Sequence, residues 1–108
     1  MKIGERVGVI LGGKPGAVDF LGYGVYEGMA IPVEAVGFFA DGCREHGISN
    51  PRIRLDSGQV VYGCECWWGP EAVIKDTLER PDVTVKMVDI DIVRATFRAA
   101  EAAAAKLN

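Results

Sequence analysis

The sequence predicts an α+β domain with a curved, mostly antiparallel five-stranded sheet or a small bent β-barrel, and two or three helices. Short segments with alternating apolar residues are separated by glycine-rich turns, and segments with helical spacing interrupt them. No long crossover between parallel strands is required. The predicted order of elements is β-β-α-β-β-α-β-α, and the length of 108 residues suits one domain covering 1–108.

Two strands joined by a glycine-rich loop open the chain. Residues 5–11 and 17–28 have strand character, and GGKPG connects them. The loop lacks the Lys-Ser/Thr pair and following helix of a phosphate-binding P-loop, so it is predicted to be a hairpin connection. Gly22 and Gly24 fall on one face of the second strand. Their missing side chains predict a sharp bend or the close approach of another group.

A helix and a second hairpin occupy the middle of the chain. Helical spacing runs from residue 34 to residue 46, and Gly47 is predicted to end this helix. Strands at 52–55 and 59–66 then flank the turn Asp56-Ser57-Gly58. The predicted apolar face of the helix contains Ala35, Phe38, Phe39, Gly42, Cys43 and His46.

The last third of the chain predicts a helix at 70–79, a strand at 82–90 and a C-terminal helix at about 91–107. The C-terminal helix is rich in alanine, and helices with small residues pack closely within a domain or across a two-fold axis. We therefore expect a homo-oligomer, most simply a homodimer. The apolar stripe of this helix contains Val93, Phe97, Ala100, Ala104 and Leu107.

Charge and composition narrow the classes of function. The formal net charge is −3 and neither half of the chain is basic, so the electrostatic footprint of a nucleic-acid-binding protein is missing. No apolar run is long enough to span a membrane, and the N-terminus lacks the features of a signal peptide. The sequence thus predicts a cytoplasmic protein with no membrane partner. Three cysteines do not suggest a disulfide framework.

The segment GCECWWGPE, residues 63–71, combines two cysteines, a glutamate and two tryptophans. Strand alternation places Cys64 and Cys66 on the side facing the core, and Glu65 and Trp67 on the opposite side. The GPE end suits the start of a helix, because proline is favoured at the first helical position. The segment is therefore predicted to join a strand to a helix.

An aromatic surface beside a carboxylate is the predicted ligand-binding site. Such a surface suits a cationic or amine-bearing ligand, or a protein segment, with the aromatic rings supplying contact area and the carboxylate supplying orientation. The sequence favours a binding module over an enzyme. Replacing Trp67 by alanine is expected to abolish binding and leave most of the stability. The predicted site residues are Tyr23, Tyr26, Glu65, Trp67 and Trp68.

Two alternatives remain open. Cys43 and His46 form C-x-x-H, Cys64 and Cys66 form C-x-C, and together they could bind structural zinc. Against this, the Cys43 face is apolar and no glycine-rich knuckle is present. The second alternative is a small hydrolase or transferase that uses Glu65 or His46 at a perturbed pKa. No nucleophile elbow or cofactor fingerprint is found, so no catalytic residue and no cofactor are predicted.

The segments GERVGVIL, FLGYGVYEG and GCECWWGPE together resemble a group of small bacterial proteins, some of which are carried as integron mobile gene cassettes. The resemblance covers most of residues 1–80 and does not include the C-terminal helix. It implies a stand-alone adaptive gene whose product binds or sequesters a ligand. It brings no activity, cofactor or catalytic residue.

Overall fold

A computed structural model describes residues 1–107 of the chain. Within them, six strands and three helices confirm the predicted α+β class and the predicted order of elements, with one additional short strand before the second helix. The elements are β1 (Arg6–Lys14), β2 (Ala17–Ala30), α1 (Phe38–Glu45), β3 (Asn50–Leu55), β4 (Val60–Tyr62), β5 (Trp67–Pro70), α2 (Glu71–Leu78), β6 (Thr84–Met87) and α3 (Ile90–Lys106).

The sheet is organised around the long strand β2, which has different partners along its length. β1 pairs antiparallel with residues 17–25 of β2. On its other side, β3 pairs antiparallel with the second half of β2 and β6 runs parallel to its start. β4 extends the sheet beyond β3, and β5 extends it beyond β1. The sheet has six strands rather than five and stays open. The small-barrel form of the prediction is therefore wrong.

The sheet stays open because the chain leaves it after three residues of β4. Residues 63–65 form a turn, in which the backbone amide of Glu65 donates to the carbonyl of Tyr62 (2.9 Å). The predicted strand at 59–66 is thus wrong beyond Tyr62. The chain crosses to the opposite edge of the sheet, where Trp68 of β5 pairs with Val9 of β1. β4 and β5 therefore lie at opposite edges and do not meet.

Gly22 and Gly24 meet two different steric requirements. Gly22 has a φ of +135° beside the point where the register between β1 and β2 shifts, a conformation that residues with a Cβ rarely adopt. Gly24 has no room for a Cβ, because that atom would lie 2.8 Å from the Cα of Leu55 on β3. The bend and the close approach predicted for this pair are thus both present, one at each glycine.

A recognisable residue precedes the first turn of each of the three helices. α1 is shorter than the predicted 34–46 helix, because Gly37 just before it has a φ of +120°. α2 begins at Glu71, directly after Pro70. α3 begins after Asp89, whose side chain accepts a hydrogen bond from the amide of Asp91 (2.8 Å).

The main core under the sheet contains Val7, Val9, Leu21, Ile53, Leu55, Val61, Cys66 and Ile90.

Candidate functional site

An apolar groove of about 460 Å³ lies between α1 and α3. Its floor consists of residues with little exposure, whereas its rim carries three exposed phenylalanines. This volume lies within the range usual for small-molecule sites. The floor and walls include Leu11, Val36, Ala40, Cys64, Glu65, Ile90 and Val93, and the rim includes Phe38, Phe39, Phe97 and Glu101.

One wall of the groove is held in place by Arg44 of α1. Its guanidinium donates to the carbonyls of Pro32 (2.7 Å) and Ala35 (2.6 Å), and it also pairs with Asp41. These bonds fix the segment before α1 against the helix. The two rim phenylalanines at the start of α1 point outward, since Phe38 is 93% exposed.

The opposite wall is the first half of α3. Ile90 is buried in the main core and Val93 packs against it. The side-chain amide of Gln59 donates to the carboxylates of Asp89 (2.9 Å) and Asp91 (3.1 Å), which ties the start of α3 to the β3–β4 turn. The position of this wall is therefore set by both apolar packing and hydrogen bonds.

A buried ion pair joins α3 to the turn that follows β4. Arg94 donates from Nε to Glu65 Oε2 (2.9 Å) and from Nη2 to Glu65 Oε1 (2.7 Å), and both side chains are only 8% exposed. Nη2 also donates to the carbonyl of Val60 (2.8 Å), and Glu65 accepts from the amide of Tyr62 (3.2 Å). Burial lowers the pKa of Arg94, but the hydrogen bonds and charge of Glu65 outweigh it and leave the pKa raised.

The burial of Glu65 corrects a prediction. Strand alternation places this side chain away from the core, yet it lies inside, paired with Arg94. The reason is the turn after Tyr62, which ends the alternation before Glu65 is reached. The carboxylate lines the α1–α3 groove on one side. On the other side it lines a second depression formed by residues 63–68.

The two tryptophans of this segment have different environments. Trp67 lines the second depression and is 75% exposed. Trp68 also lines it, but packs against the main core. Its ring lies against Gly63, where an added Cβ would come within 3.1 Å of it. The structure therefore brings Glu65, Trp67 and Trp68 together around one depression.

The two predicted tyrosines lie elsewhere. Tyr23 pairs across the sheet with Gly8, on the face covered by Ile74 of α2, and its ring meets that of Phe20 edge-on at 4.9 Å. Tyr26 pairs with Ile53 and packs against the main core. The five predicted residues thus do not form one continuous aromatic surface.

The zinc alternative is not supported by the geometry. Within residues 1–107, no three His, Cys, Asp or Glu side chains converge as metal ligands, so Cys43, His46, Cys64 and Cys66 do not form the tetrahedral set. Burial raises the pKa of Cys64 to about 11 and that of Cys66 to about 12. The Cys66 thiol donates to the carbonyl of Tyr62 (3.2 Å). Neutral thiols of this kind behave as small apolar groups.

No protein-family model matches this chain, and no curated protein or solved structure shows significant similarity to it. Within residues 1–107, none of the helices has the length and apolar character needed to cross a membrane.

Sequence reasoning missed the rim of the groove and the partner of Glu65. Helical spacing places Phe38 and Phe39 on one apolar face of a helix that starts at residue 34, but α1 begins only at Phe38 and both side chains are exposed. Gly37 was the available signal for the later start, because glycine is unfavourable inside a helix. Arg94 carried no signal of its own, because its pairing with Glu65 joins positions 29 residues apart.

Proposed function

We propose that the protein binds a small organic molecule in the α1–α3 groove, and that this molecule has an apolar body and a cationic or hydrogen-bond-donating group. The observation that carries the proposal is the groove itself, an apolar cavity of about 460 Å³ with the carboxylate of Glu65 in its wall. A concave, largely apolar site with few polar groups is the usual form of a small-molecule site.

The apolar part of the ligand is accommodated by the aliphatic floor and the aromatic rim. Ile90 and Val93 supply aliphatic surface, and Phe97 on the same helix supplies a ring at the mouth. Burying apolar ligand surface here contributes about 25 cal/mol for each Å² removed from water. The exposed rings on the rim also lose water contact when a ligand covers them.

The charge of the lining favours a cation or a donor. Among the described lining residues, the charged side chains are Glu65 in the wall and Glu101 at the mouth, and both are acidic. Arg94 does not line the groove, and its donors are directed to Glu65 and the Val60 carbonyl. Aromatic rings beside carboxylates attract cations through the ring quadrupole.

The protonation state of Cys64 and the hydrogen bonds of Glu65 support ligand binding rather than catalysis in the groove. The thiol of Cys64 lines the groove with a pKa raised to about 11 by burial and by the charge of Glu65, so it is neutral at pH 7. The Glu65 carboxylate is held by two bonds from Arg94. A fixed carboxylate orients a ligand, and a neutral thiol adds apolar surface.

Three naphthalene probes of different charge test the proposal: 1-naphthylmethylamine, 1-naphthalenemethanol and 1-naphthoate. We expect saturable binding by isothermal titration calorimetry, tightest for the amine and weakest for the carboxylate.

A pair of adjacent tryptophan substitutions locates the site. Val93→Trp places a large ring in the groove and should remove probe binding, whereas Ile92→Trp lies outside it at an exposed position and should leave binding intact. Thermal unfolding establishes that both variants are folded. Equal probe binding by the two variants would show that the groove is not the site, and the proposal would fail.

A further inference from the structure

The second half of α3 is exposed along its whole length. Every residue from 95 to 106 is exposed, a stretch of twelve residues and about 18 Å of helix. Helices of this length are only marginally stable alone in water, and tertiary packing normally supplies their stability. A contact beyond the single chain would supply that packing.

The exposed half of α3 continues the apolar surface of the groove. Phe97 lines the groove, and apolar residues recur after it at intervals of three and four residues. Across the groove, Phe38 and Phe39 expose 93% and 70% of their surface. Together these features form an apolar trough, called here the α3 trough, whose residues are Phe38, Phe39, Phe97, Ala100, Ala104 and Leu107.

We propose that the α3 trough is occupied by α3 of a second copy of this chain, with the two helices antiparallel about a two-fold axis near residues 99 and 100. The charges of α3 are self-complementary in this arrangement. Arg98 of each copy lies opposite Glu101 of the other, so the contact contains two equivalent ion pairs.

The same arrangement matches side-chain size and helix polarity. Phe97 of each copy faces the alanine-rich segment 102–105 of the other, so a large side chain meets small ones. The basic end of each helix, at Lys106, lies toward the acidic start of the other, at Asp91. Favourable interactions between charges and helix ends of this kind follow from the helix dipole.

The dimer also affects the groove. Because the second helix runs along Phe97 toward Val93, it covers the mouth of the groove and adds a wall to the cavity. The proposal does not depend on ligand binding, because it rests on the exposed half of α3 and its charges. The two proposals have separate measurements, namely probe binding and molar mass.

Opposite charge reversals test the arrangement. Sedimentation velocity and native mass spectrometry of the unmodified chain should give twice the 11.6 kDa mass of one chain. Arg98→Glu and Glu101→Arg, each alone, place like charges opposite each other and should weaken dimerisation at least about tenfold. Mixing the two variants should restore it as a heterodimer, which a mass tag on one variant identifies.

A matched pair of aspartates tests which face of α3 is used. Phe97→Asp should give a monomer, and Ala95→Asp, on the opposite face, should remain a dimer. Circular dichroism establishes that both variants keep the domain fold. A monomeric unmodified chain, a larger oligomer, or mixed charge variants that stay monomeric would each overturn the proposal.

Discussion

Glu65 and Arg94, 29 residues apart in the sequence, form a bidentate ion pair that connects the turn after β4 to the third helix. The pair is almost fully buried, and the carbonyl of Val60 and the amide of Tyr62 complete its hydrogen bonds. The pair holds α3, which forms one wall of the groove, against the turn after β4. The shape of the proposed site therefore depends on a contact between two residues that are distant in sequence.

Removing either partner of this pair should be costly. We expect Arg94→Met or Glu65→Gln to lower the free energy of unfolding by about 3–5 kcal/mol, because one buried group is left without its partner. The double variant that combines Arg94→Met with Glu65→Gln should cost less than the two single changes added together, because neither group is then left opposite an uncompensated partner. Urea unfolding of the four proteins measures the coupling.

An exposed pair provides the comparison. Lys75 on α2 and Glu79 at its C-terminal end lie 4.0 Å apart and are 62% and 67% exposed, so Lys75→Ala should change stability by less than about 0.5 kcal/mol. Equal losses for Arg94→Met and Lys75→Ala would contradict the structural role given to the buried pair.

The two tryptophans should respond differently to truncation. Trp68→Ala is expected to lower the free energy of unfolding by about 2–4 kcal/mol, because removing a ring that packs against the core leaves a cavity. Trp67→Ala should cost less than about 1 kcal/mol, because this side chain is mostly exposed. Denaturant unfolding followed by far-UV circular dichroism measures both, and the reverse order of losses would show that Trp67 is the core residue.

A methyl group at Gly24 should destabilise the sheet strongly. Gly24→Ala brings the new Cβ within 2.8 Å of the Cα of Leu55, so strands β2 and β3 must move apart. We expect a loss of about 3 kcal/mol or more, as for other overpacked sites. Gly12→Ala is the control, because nothing lies within 4 Å of its added Cβ. Thermal unfolding compares them, and similar melting temperatures would refute the close approach.

Stability should fall in alkaline solution. Burial raises the pKa of Tyr62 from 10.0 to about 12 and that of Cys66 from 9.0 to about 12. In the unfolded chain these groups lose their protons at the lower values, so ionisation favours unfolding. The stability that they contribute is complete below about pH 9 and is lost as the pH rises toward about 12.

Urea unfolding between pH 8 and pH 12 measures this loss. Replacing both Cys64 and Cys66 by alanine should move the start of the decline to higher pH, because both thiols ionise first in the unfolded chain and have raised pKa values in the folded one. Tyr62→Phe should reduce the loss of stability between pH 10.0 and about pH 12, because phenylalanine does not titrate. A stability that is constant across this range would contradict the burial of both groups.

Local patterns determined much of the fold. Alternation and turn chemistry predicted the first hairpin and the turn at 56–58, and helical spacing with capping signals predicted α2 and α3 within a few residues. The two glycines of β2 indicated that the strand bends and is closely approached. These features depend on neighbouring residues or on backbone conformation, which a single sequence records directly.

Tertiary structure alone decided the opening of the sheet, the burial of Glu65 and the existence of the groove. Strand alternation directs Glu65 outward, but the strand ends at Tyr62, in a turn whose hydrogen bonds form only in the folded chain. The groove combines residues from β1, α1, the turn after β4 and α3, which are distant in sequence. Such a site depends on how elements pack, and periodicity within one element carries no information about its neighbours.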